Sequence, residues 1–553
     1  MHRLFNRLAK TRAPMIRETS SNQEPLSQFG WPFQNALDPQ NRWVRLAHCV
    51  PWDALSEAYL RKMNPRQGRP SIKARVVIGA LIIKHKLVLS DRETVGLIQE
   101  NPYMQYFIGL ESYTSEKPFD ASLFVRIRRR MGQSVFDEFT QSIIEEMDHV
   151  NRRPKECDNN ADDNEPPSGA QRQDEPDEVC VKTESIKEPK QGKLIVDATV
   201  ADQAIRFPTD VSLLNEAREF CEQIIDWLYK GTELRKKPRT YRQNARRDYL
   251  SYAKRRKPTR KIIRKAIRQQ LQYVRRDLEH IERLLEHYKI GSRLPMPNWL
   301  LRRYWVIPHL YEQQKQMYDE KVNRCDKRIV SISQPWVRPI VRGKQHKPTE
   351  FGAKINVSMN DDGVASIDYF SWEAFNESQN LQEQVEAYRE RHGYYPKFVL
   401  ADPIYGTRDN RGWLKEKGIR FGGKPLGRPR KPTEQNAEQL KAEKKQRHED
   451  YRQRIPIEGK FGQGKSGYRL NYIRTKRSDT SQAWINSILF VMNLIVLYVE
   501  YFLRKFRSTM ALVGLKFRLW RCREACEWEI CSVPGNRALK SVYRPLRIST
   551  EAY

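Results

Sequence analysis

Two short apolar segments that each carry one aspartate constrain the fold of this chain most strongly. Residues 193–200 (KLIVDATV) and 397–402 (KFVLAD) have the length and apolar character of buried strands. The chain between and after them predicts two strands over 354–359 and 364–370 joined by a turn at 360–363, a helix over 381–391 and a short strand over 418–421. This order of elements predicts an α/β core with a mixed sheet.

A long basic segment, over about residues 206–347, interrupts this core, and we interpret it as a helical insertion. Its middle, residues 231–290, contains twenty Lys and Arg against six Asp and Glu, with tyrosines interleaved. Cationic side chains that release counterions from phosphates give strong, salt-sensitive affinity for DNA. The candidate contacts are Arg255, Arg256 and Lys257. The alternative is an exposed helical hairpin whose charge only keeps the protein soluble.

The charge of the whole chain also favours a polyanionic partner. Its 553 residues exceed the roughly 250–300 residues of a single core, so two or three structural units are expected. There are 100 Lys and Arg against 68 Asp and Glu, a formal net charge of +32. Such an excess repels itself in a compact fold unless a polyanion neutralises it, which favours nucleic acid over a basic protein that is merely soluble or associated with ribosomes.

The N-terminal part of the chain predicts an all-α DNA-binding domain over residues 41–150, preceded by a flexible arm over 1–40. Helices are predicted over 71–89, after a capping box at 90–93 until Pro102, over 121–131 and from 134 to 147. Short helices with short breaks suit a bundle of the helix-turn-helix kind. Its candidate phosphate contacts are Arg126, Arg128, Arg129 and Arg130, although a basic helix face is often only solvated.

The remaining segments bound the domains. Residues 151–190 are acidic, proline-containing and poor in apolar residues, which predicts a disordered linker. The core then extends over 191–505, and the tail over 506–553 has no assigned role. An apolar run over 484–503 approaches the length of a membrane span, but it carries Asn486, Asn493 and Glu500, so a buried core helix is favoured and no membrane is expected.

The candidate catalytic groups are three carboxylates. Asp197 and Asp402 lie within or at the end of predicted strands, where a carboxylate is costly unless it is paired or binds a cation. The third is Glu458. The residues that share its helical face, at spacings of 3, 4 and 7, are Tyr451, Arg454 and Lys465. Pro456 perturbs this helix and three glycines between 462 and 467 weaken its end, so Lys465 is predicted to lie on a turn.

These residues resemble a known family, the DDE transposases of bacterial insertion sequences, in the branch with a Tyr-x2-Arg-x3-Glu-x6-Lys motif. Tyr451, Arg454, Glu458 and Lys465 meet that spacing, and Asp197 and Asp402 match the first two family acids. The resemblance covers roughly residues 41–150 and 190–505. It implies an RNase H-like core, Mg²⁺ as the usual cofactor with Mn²⁺ as the other candidate, and a homodimer on paired inverted-repeat ends. Tyr451, Arg454 and Lys465 are then expected to contact double-stranded DNA.

The chemistry of the three acids agrees with that resemblance. Oxygen ligands from carboxylates suit Mg²⁺ or Mn²⁺, and two such ions stabilise the attacking and leaving oxygens of a displacement at phosphorus. The sequence therefore predicts a transposase that cleaves element ends and joins them to target DNA. A metal-dependent nuclease and an inactive DNA-binding protein remain as alternatives. The mostly scattered cysteines favour reduced thiols, hence a cytoplasmic, nucleoid-associated protein.

Overall fold

The computed structural model describes residues 36–63, 71–152, 191–289, 291, 294–342, 348–428, 430 and 433–528. The chain divides into a unit over Met1–Leu497 and a second over Tyr498–Tyr553. In the second unit the described backbone is helical up to Trp528. Most of the predicted arm, the predicted acidic linker from residue 153 onward and the end of the tail lie outside the described residues.

Six strands form one mixed sheet, which confirms the predicted α/β class. The strands are β1 (Lys193–Asp202), β2 (Arg338–Val341), β3 (Thr349–Met359), β4 (Ala365–Ser371), β5 (Phe398–Ala401) and β6 (Arg420–Gly422). Their order is β2-β3-β1-β5-β6, and β4 pairs with β3 alongside β2. The β1, β2 and β4 strands run antiparallel to β3, whereas β1, β5 and β6 are mutually parallel. The central strand, β1, therefore joins an antiparallel half to a parallel half.

Helices cover both faces of this sheet because alternate residues of its strands are apolar on both sides. They are α13 (Leu381–His392), α14 (Arg408–Glu416), α15 (Ala437–Gly467) and α16 (Ser478–Trp528). Ile195 of β1 belongs to the core beneath α15 and α16, together with Ile457 and Ile488. Val196, on the opposite face, packs with Val385 of α13. The two neighbouring β1 residues thus face two different helical layers.

The predicted helical insertion is present between β1 and β3, but its bounds need a correction. It contains α8 (Asp210–Tyr229), α9 (Arg242–Ala253), α10 (Arg260–Leu285), α11 (Asn298–Tyr304) and α12 (Ile307–Asp319). Leu214, Val274 and Leu310 are among the side chains of its own apolar core. The predicted segment over 206–347 also includes β2, which is a sheet strand. Four residues that alternate only weakly in hydrophobicity gave no strand signal.

The base of the insertion is narrow. Asp202, at the end of β1, and Arg338, at the start of β2, both pair with Gly352 of β3, from opposite sides. A β-carbon on Gly352 would lie 1.9 Å from the carbonyl oxygen of Ala201. Only glycine therefore allows the strands to approach this closely.

The N-terminal segment is helical, as predicted. It holds α1 (Arg42–Cys49), α2 (Trp52–Leu60), α3 (Ala74–Lys86), α4 (Asp91–Glu100), α5 (Pro102–Phe107), α6 (Leu123–Arg130) and α7 (Gln133–Arg152). The capping box is confirmed, since Ser90 and Glu93 bond each other's backbone amides. Pro102 ends α4 and also opens α5, because the first turn of a helix requires no amide donor.

The N-terminal helices pack directly on the core. Lys84 places its Nζ 4.3 Å from the centroid of a Trp484 ring on α16. Asn486, also on α16, donates to the side-chain oxygen of Gln133 at 2.7 Å, and Gln133 donates to the carbonyl of Ile367 at 3.3 Å. These contacts join α3, α7 and β4 to one core helix.

The apolar run of α16 is long enough to cross a membrane, over Ser478–Arg504, and 61% of its apolar stretch is buried within the protein. Its two asparagines, Asn486 and Asn493, are hydrogen-bonded there. Asn493 is fully buried, accepts from the Ala365 amide at 3.0 Å and donates to the Ala365 carbonyl at 2.7 Å. The interpretation of this segment as a core helix is consistent with that packing.

Candidate active site

Asp197 and Asp402 occupy neighbouring positions on the two central parallel strands. The β1–β5 register ends with Val196 opposite Ala401, so the next residues along are the two aspartates. Ile195 and Leu400, two positions earlier on each strand, both belong to the core beneath α15 and α16. Because side chains alternate along a strand, both aspartates face that side, about 5 Å apart at their backbones. Two carboxylates therefore converge at one place on the sheet.

The environment of Asp197 disfavours its charged form. The pKa of this carboxyl is raised to about 6, mainly by burial. The backbone amide of Ala198 and the charge of Arg454 lower it, and the carboxylates of Glu377 and Asp402 raise it. The Ala198 amide donates to its Oδ1 at 2.8 Å. Glu377 is a neighbour that the sequence analysis missed, and it pairs with Lys354 at 2.8 Å. A like-charged, partly buried pair of carboxylates is an arrangement that a divalent cation stabilises.

Helix α15 places Arg454 beside Asp197 and Glu458 beside Arg454. The Nη1 of Arg454 lies 3.4 Å from Oδ2 of Asp197, and its Nη2 bonds Oε1 of Glu458. The guanidinium therefore lies between a sheet carboxylate and a helix carboxylate. Arg454 and Asp197 are 13% and 15% exposed, whereas Glu458 is 47% exposed, so the cluster is open on the Glu458 side.

The helix continues through Pro456 to Gly467, so the predicted turn at Lys465 is wrong. Ile457 and Phe461, which follow the proline, pack into the sheet core and hold this part of the helix although Pro456 lacks an amide donor. Lys465 lies in the last turn, with its Nζ 3.5 Å from the buried carboxylate of Glu350. Tyr451 is 55% exposed, with the Arg454 guanidinium 5.8 Å from its ring centroid. The four motif residues thus line one side of α15.

Lys460 is a second residue that the sequence analysis missed. It is buried, and its Nζ donates to the Gly363 carbonyl at 2.9 Å and to the Asn493 side chain at 3.2 Å. Burial lowers the pKa of this amine to about 8. These bonds fix α15 to the β3–β4 turn and to α16, two residues beyond Glu458. The sequence did not indicate that Lys460 is buried, because a lysine in a basic segment is expected to be exposed.

A metal site is not assembled among the described residues: no three His, Cys, Asp or Glu side chains lie close enough to hold an ion. The donor types nevertheless fit a hard cation, since Asp197, Asp402 and Glu458 offer only carboxylate oxygens. Arg454 occupies the place between two of them. A bound cation would therefore have to replace the guanidinium as the positive partner of Asp197 and Glu458.

The predicted DNA contacts of the N-terminal helices need one correction. Arg126, Arg129 and Arg130 are exposed on α6, as a phosphate contact requires. Arg128 is 5% exposed and gives a bidentate pair to Asp91, at 2.9 and 2.7 Å, with its guanidinium near the Trp484 ring. It therefore stabilises the packing of α4, α6 and α16 and is not available to DNA. The arginines between residues 126 and 130 point in different directions around the axis of α6, so some of them are exposed and one is buried.

The DNA contacts predicted for the insertion all lie in one exposed loop. Arg255, Arg256 and Lys257 form the connection between α9 and α10, and all three are exposed. Their contact with DNA stays a prediction.

Comparisons with known proteins agree with the predicted family. A family model described as "Transposase DDE domain" matches residues 399–495, and one described as "Transposase domain (DUF772)" matches residues 32–130. The first spans Asp402, the motif helix and most of the buried part of α16, while Asp197 lies outside it. These matches confirm the resemblance to a DDE transposase of an insertion sequence, which is a class of enzymes that cleave or transfer nucleic acid.

One curated relative, described as an uncharacterized protein, ORF8 in the nfe locus of Rhizobium meliloti, is 29% identical over 181 residues. The match covers 33% of this chain and 71% of the relative. No solved structure gives a significant match to the chain. The transposase domains support a transposase function, and the Tyr-Arg-Glu-Lys branch stays a prediction.

Proposed function

We propose that this protein cleaves the ends of a DNA element and joins the freed 3′ ends to target DNA. The observation that carries the proposal is that Asp197 and Asp402 follow one another's register on two adjacent parallel strands, while Arg454 of α15 links Asp197 to Glu458. The transposase family matches support the same reaction class. A cytoplasmic, nucleoid-associated location and a homodimer on paired ends are part of this proposal.

The core is proposed to be RNase H-like. Support comes from the strand order, in which three antiparallel strands are followed by two that are parallel to the central one. The two aspartates lie on the adjacent parallel strands and the glutamate on a helix that crosses them. Exposed arginines on α6 support a DNA-binding role for the N-terminal helices.

The three carboxylates would hold Mg²⁺ or Mn²⁺, which when bound stabilise the attacking and leaving oxygens of an in-line displacement at phosphorus. The protein's own groups supply orientation and charge. Arg454, once released from the carboxylates, donates to a phosphate oxygen, and its planar guanidinium suits that contact. The exposed ring of Tyr451 lies beside it. The anchor formed by Lys460 keeps Glu458 at a fixed height above the sheet.

The test uses purified protein, Mg²⁺ or Mn²⁺, a labelled duplex that carries the ends of its own genetic locus, and a supercoiled plasmid as target. Asp402→Asn and Glu458→Gln are compared with the matched controls Asp409→Asn and Glu449→Gln, which change exposed acids on α14 and α15. We expect end cleavage and plasmid joining by wild type and both controls.

Both site variants are expected to lose the reaction by about 10³-fold or more, the scale of a lost electrostatic contribution to a transition state. They should retain DNA binding. Cleavage without joining would identify a nuclease instead. Binding without cleavage by wild type, in either metal, would contradict the proposal.

A further inference from the structure

A groove of about 570 Å³ lies in the helical insertion, apart from the three acids. Its lining residues are Arg239, Tyr241, Tyr273, Arg276 and His280. Arg239 and Tyr241 precede α9, while the other three lie on α10 at spacings of 3 and 4, which places them on one helical face. We call this feature the arginine–tyrosine groove. Neither of its arginines belongs to the exposed connection at residues 255–257.

Aromatic rings hold both guanidinium groups of the groove. The Arg239 Cζ lies 4.7 Å from the Tyr241 ring centroid, and the Arg276 Cζ lies 4.8 Å from the same centroid. Tyr273 lies 5.4 Å from the Arg276 Cζ, and its hydroxyl donates to Asp248 at 3.0 Å. Stacked guanidinium groups keep their N–H donors free at the edge, because the ring contacts the flat face.

The backbone at Tyr241 indicates that this geometry is specific. Tyr241 has φ of 53°, in the left-handed region that a tyrosine rarely adopts. Such a conformation costs on the order of 1 kcal/mol and is typical of residues whose position matters for binding. It places a 41% exposed ring beside the two arginines.

The charge of the groove is not neutralised within the described part of the chain. Nearby cations are paired there: Arg242 with Asp226 at 2.7 Å, and Arg218 with Glu222. Across the described residues, neither Arg239 nor Arg276 has a carboxylate within the 4.0 Å of an ion pair. Two fixed cations that lack a carboxylate partner form a site for an anion.

We propose that the arginine–tyrosine groove binds a phosphodiester group of DNA, with Arg239 and Arg276 donating to its oxygens. Guanidinium forks match phosphate oxygens, and a sugar or base edge can lie against the exposed Tyr241 ring. The inference rests on the proposed function, because the DNA is the substrate of that reaction. It assigns a specific backbone contact to the insertion, whose charge alone predicts only diffuse binding.

The test is phosphate-ethylation interference on the labelled duplex from the protein's own locus. Wild type is compared with the double variant Arg239→Ala/Arg276→Ala and with the control Arg246→Ala/Arg247→Ala, which removes two exposed arginines of α9. Circular dichroism and thermal unfolding establish that each variant is folded. Ethylation of one or two phosphates should block wild type and the control but no longer affect the double variant.

The salt dependence gives a second readout. The slope of log K against log salt should become shallower by about 1 in the double variant, since the loss of one phosphate contact lowers it by about 0.9. An interference pattern identical to wild type would overturn the groove assignment and leave the proposed function intact. Failure of wild type to bind any duplex would overturn both. Interference that is lost equally in the Arg246/Arg247 control would show a diffuse charge effect and also contradict the assignment.

Discussion

Two arginine–carboxylate clusters in this protein use the same residue types in opposite ways. At the sheet, Arg454 lies between Asp197 and Glu458, and the glutamate is 47% exposed. In the insertion, Arg218 pairs with Glu222 beside Asp277, and the arginine is only 2% exposed. The first cluster can exchange its cation with solvent, whereas the second is sealed by α8 and α10. Exposure, and not composition, separates a site for chemistry from a structural ion pair.

The largest expected effect that tests this comparison is on stability. Arg218→Met leaves Glu222 buried with only the more distant Arg242, 3.9 Å away, as its cation, and removing one partner of a buried pair costs up to about 3–5 kcal/mol. Arg454→Met should change the free energy of unfolding by less than about 1 kcal/mol, because Glu458 can be hydrated and Asp197, whose pKa is raised to about 6, can take up a proton. Urea unfolding followed by circular dichroism measures both. Equal losses in the two variants would contradict the distinction.

The second effect concerns Asp277, whose two carboxylate oxygens are buried without hydrogen-bond partners. Burial and the charge of Glu222 raise its pKa from 3.8 to about 8. The folded state therefore binds this proton more tightly than the unfolded state, and the stability it contributes is lost as pH rises from about 4 through 8.

Asp277→Asn removes that dependence. The variant should gain stability over wild type, on the order of a few kcal/mol at pH 8, and the gain should shrink as pH falls toward 5. Thermal and urea unfolding at several pH values measure it. A gain that is the same at every pH would show that Asp277 is not protonated in the folded protein.

A third, smaller effect concerns Mn²⁺ affinity and tests whether the Arg454 guanidinium occupies the position that a metal cation would take between the carboxylates. Removing its charge should raise the affinity of the DNA-free protein for Mn²⁺ by about tenfold, or about 1.4 kcal/mol, because a competing cation near the carboxylates is gone. Isothermal titration of Arg454→Gln measures this. Arg452→Gln, an exposed neighbour on the same helix, is the control. Weaker Mn²⁺ binding by Arg454→Gln than by wild type would refute the substitution of one cation by the other.

The smallest effect is expected at the exposed connection between α9 and α10. Replacing Arg255, Arg256 and Lys257 with alanine should leave the free energy of unfolding within about 0.5 kcal/mol of wild type. Filter binding at several salt concentrations should give a shallower slope with DNA, as lost phosphate contacts require. An unchanged slope would mean that this charge serves solubility.

The sequence predicted the parts of the fold that depend on local patterns. The apolar runs around Asp197 and Asp402 gave two strands, and the capping box at Ser90 gave the start of α4. Contacts that depend on register were beyond it. Nothing local indicates that β1 and β5 are neighbours, which is what places the two aspartates together.

Local sequence patterns also could not predict whether certain basic residues are buried or exposed. Arg128 lies in a run of four arginines over five positions, yet burial against Asp91 separates it from the others. Lys460 is equally indistinct in sequence and fully packed in the structure. In both cases the helix rotation decides the environment, and the partners come from distant segments. The sequence did not predict β2 for a related reason: β2 lies within the predicted insertion, whereas its pairing partner β3 lies outside that segment.

The narrow base of the insertion affects how freely the sequence and length of this segment can change during evolution. Because Asp202 and Arg338 both pair with Gly352, residues 203–337 leave and rejoin the sheet two strand spacings apart, about 10 Å. The entropy lost on closing a loop grows only logarithmically with the length of the loop. A longer, shorter or unrelated segment can therefore join the same two attachment points with little loss of stability. We therefore expect that changes in the length or sequence of residues 203–337 leave the alignment of β1 with β5 in place.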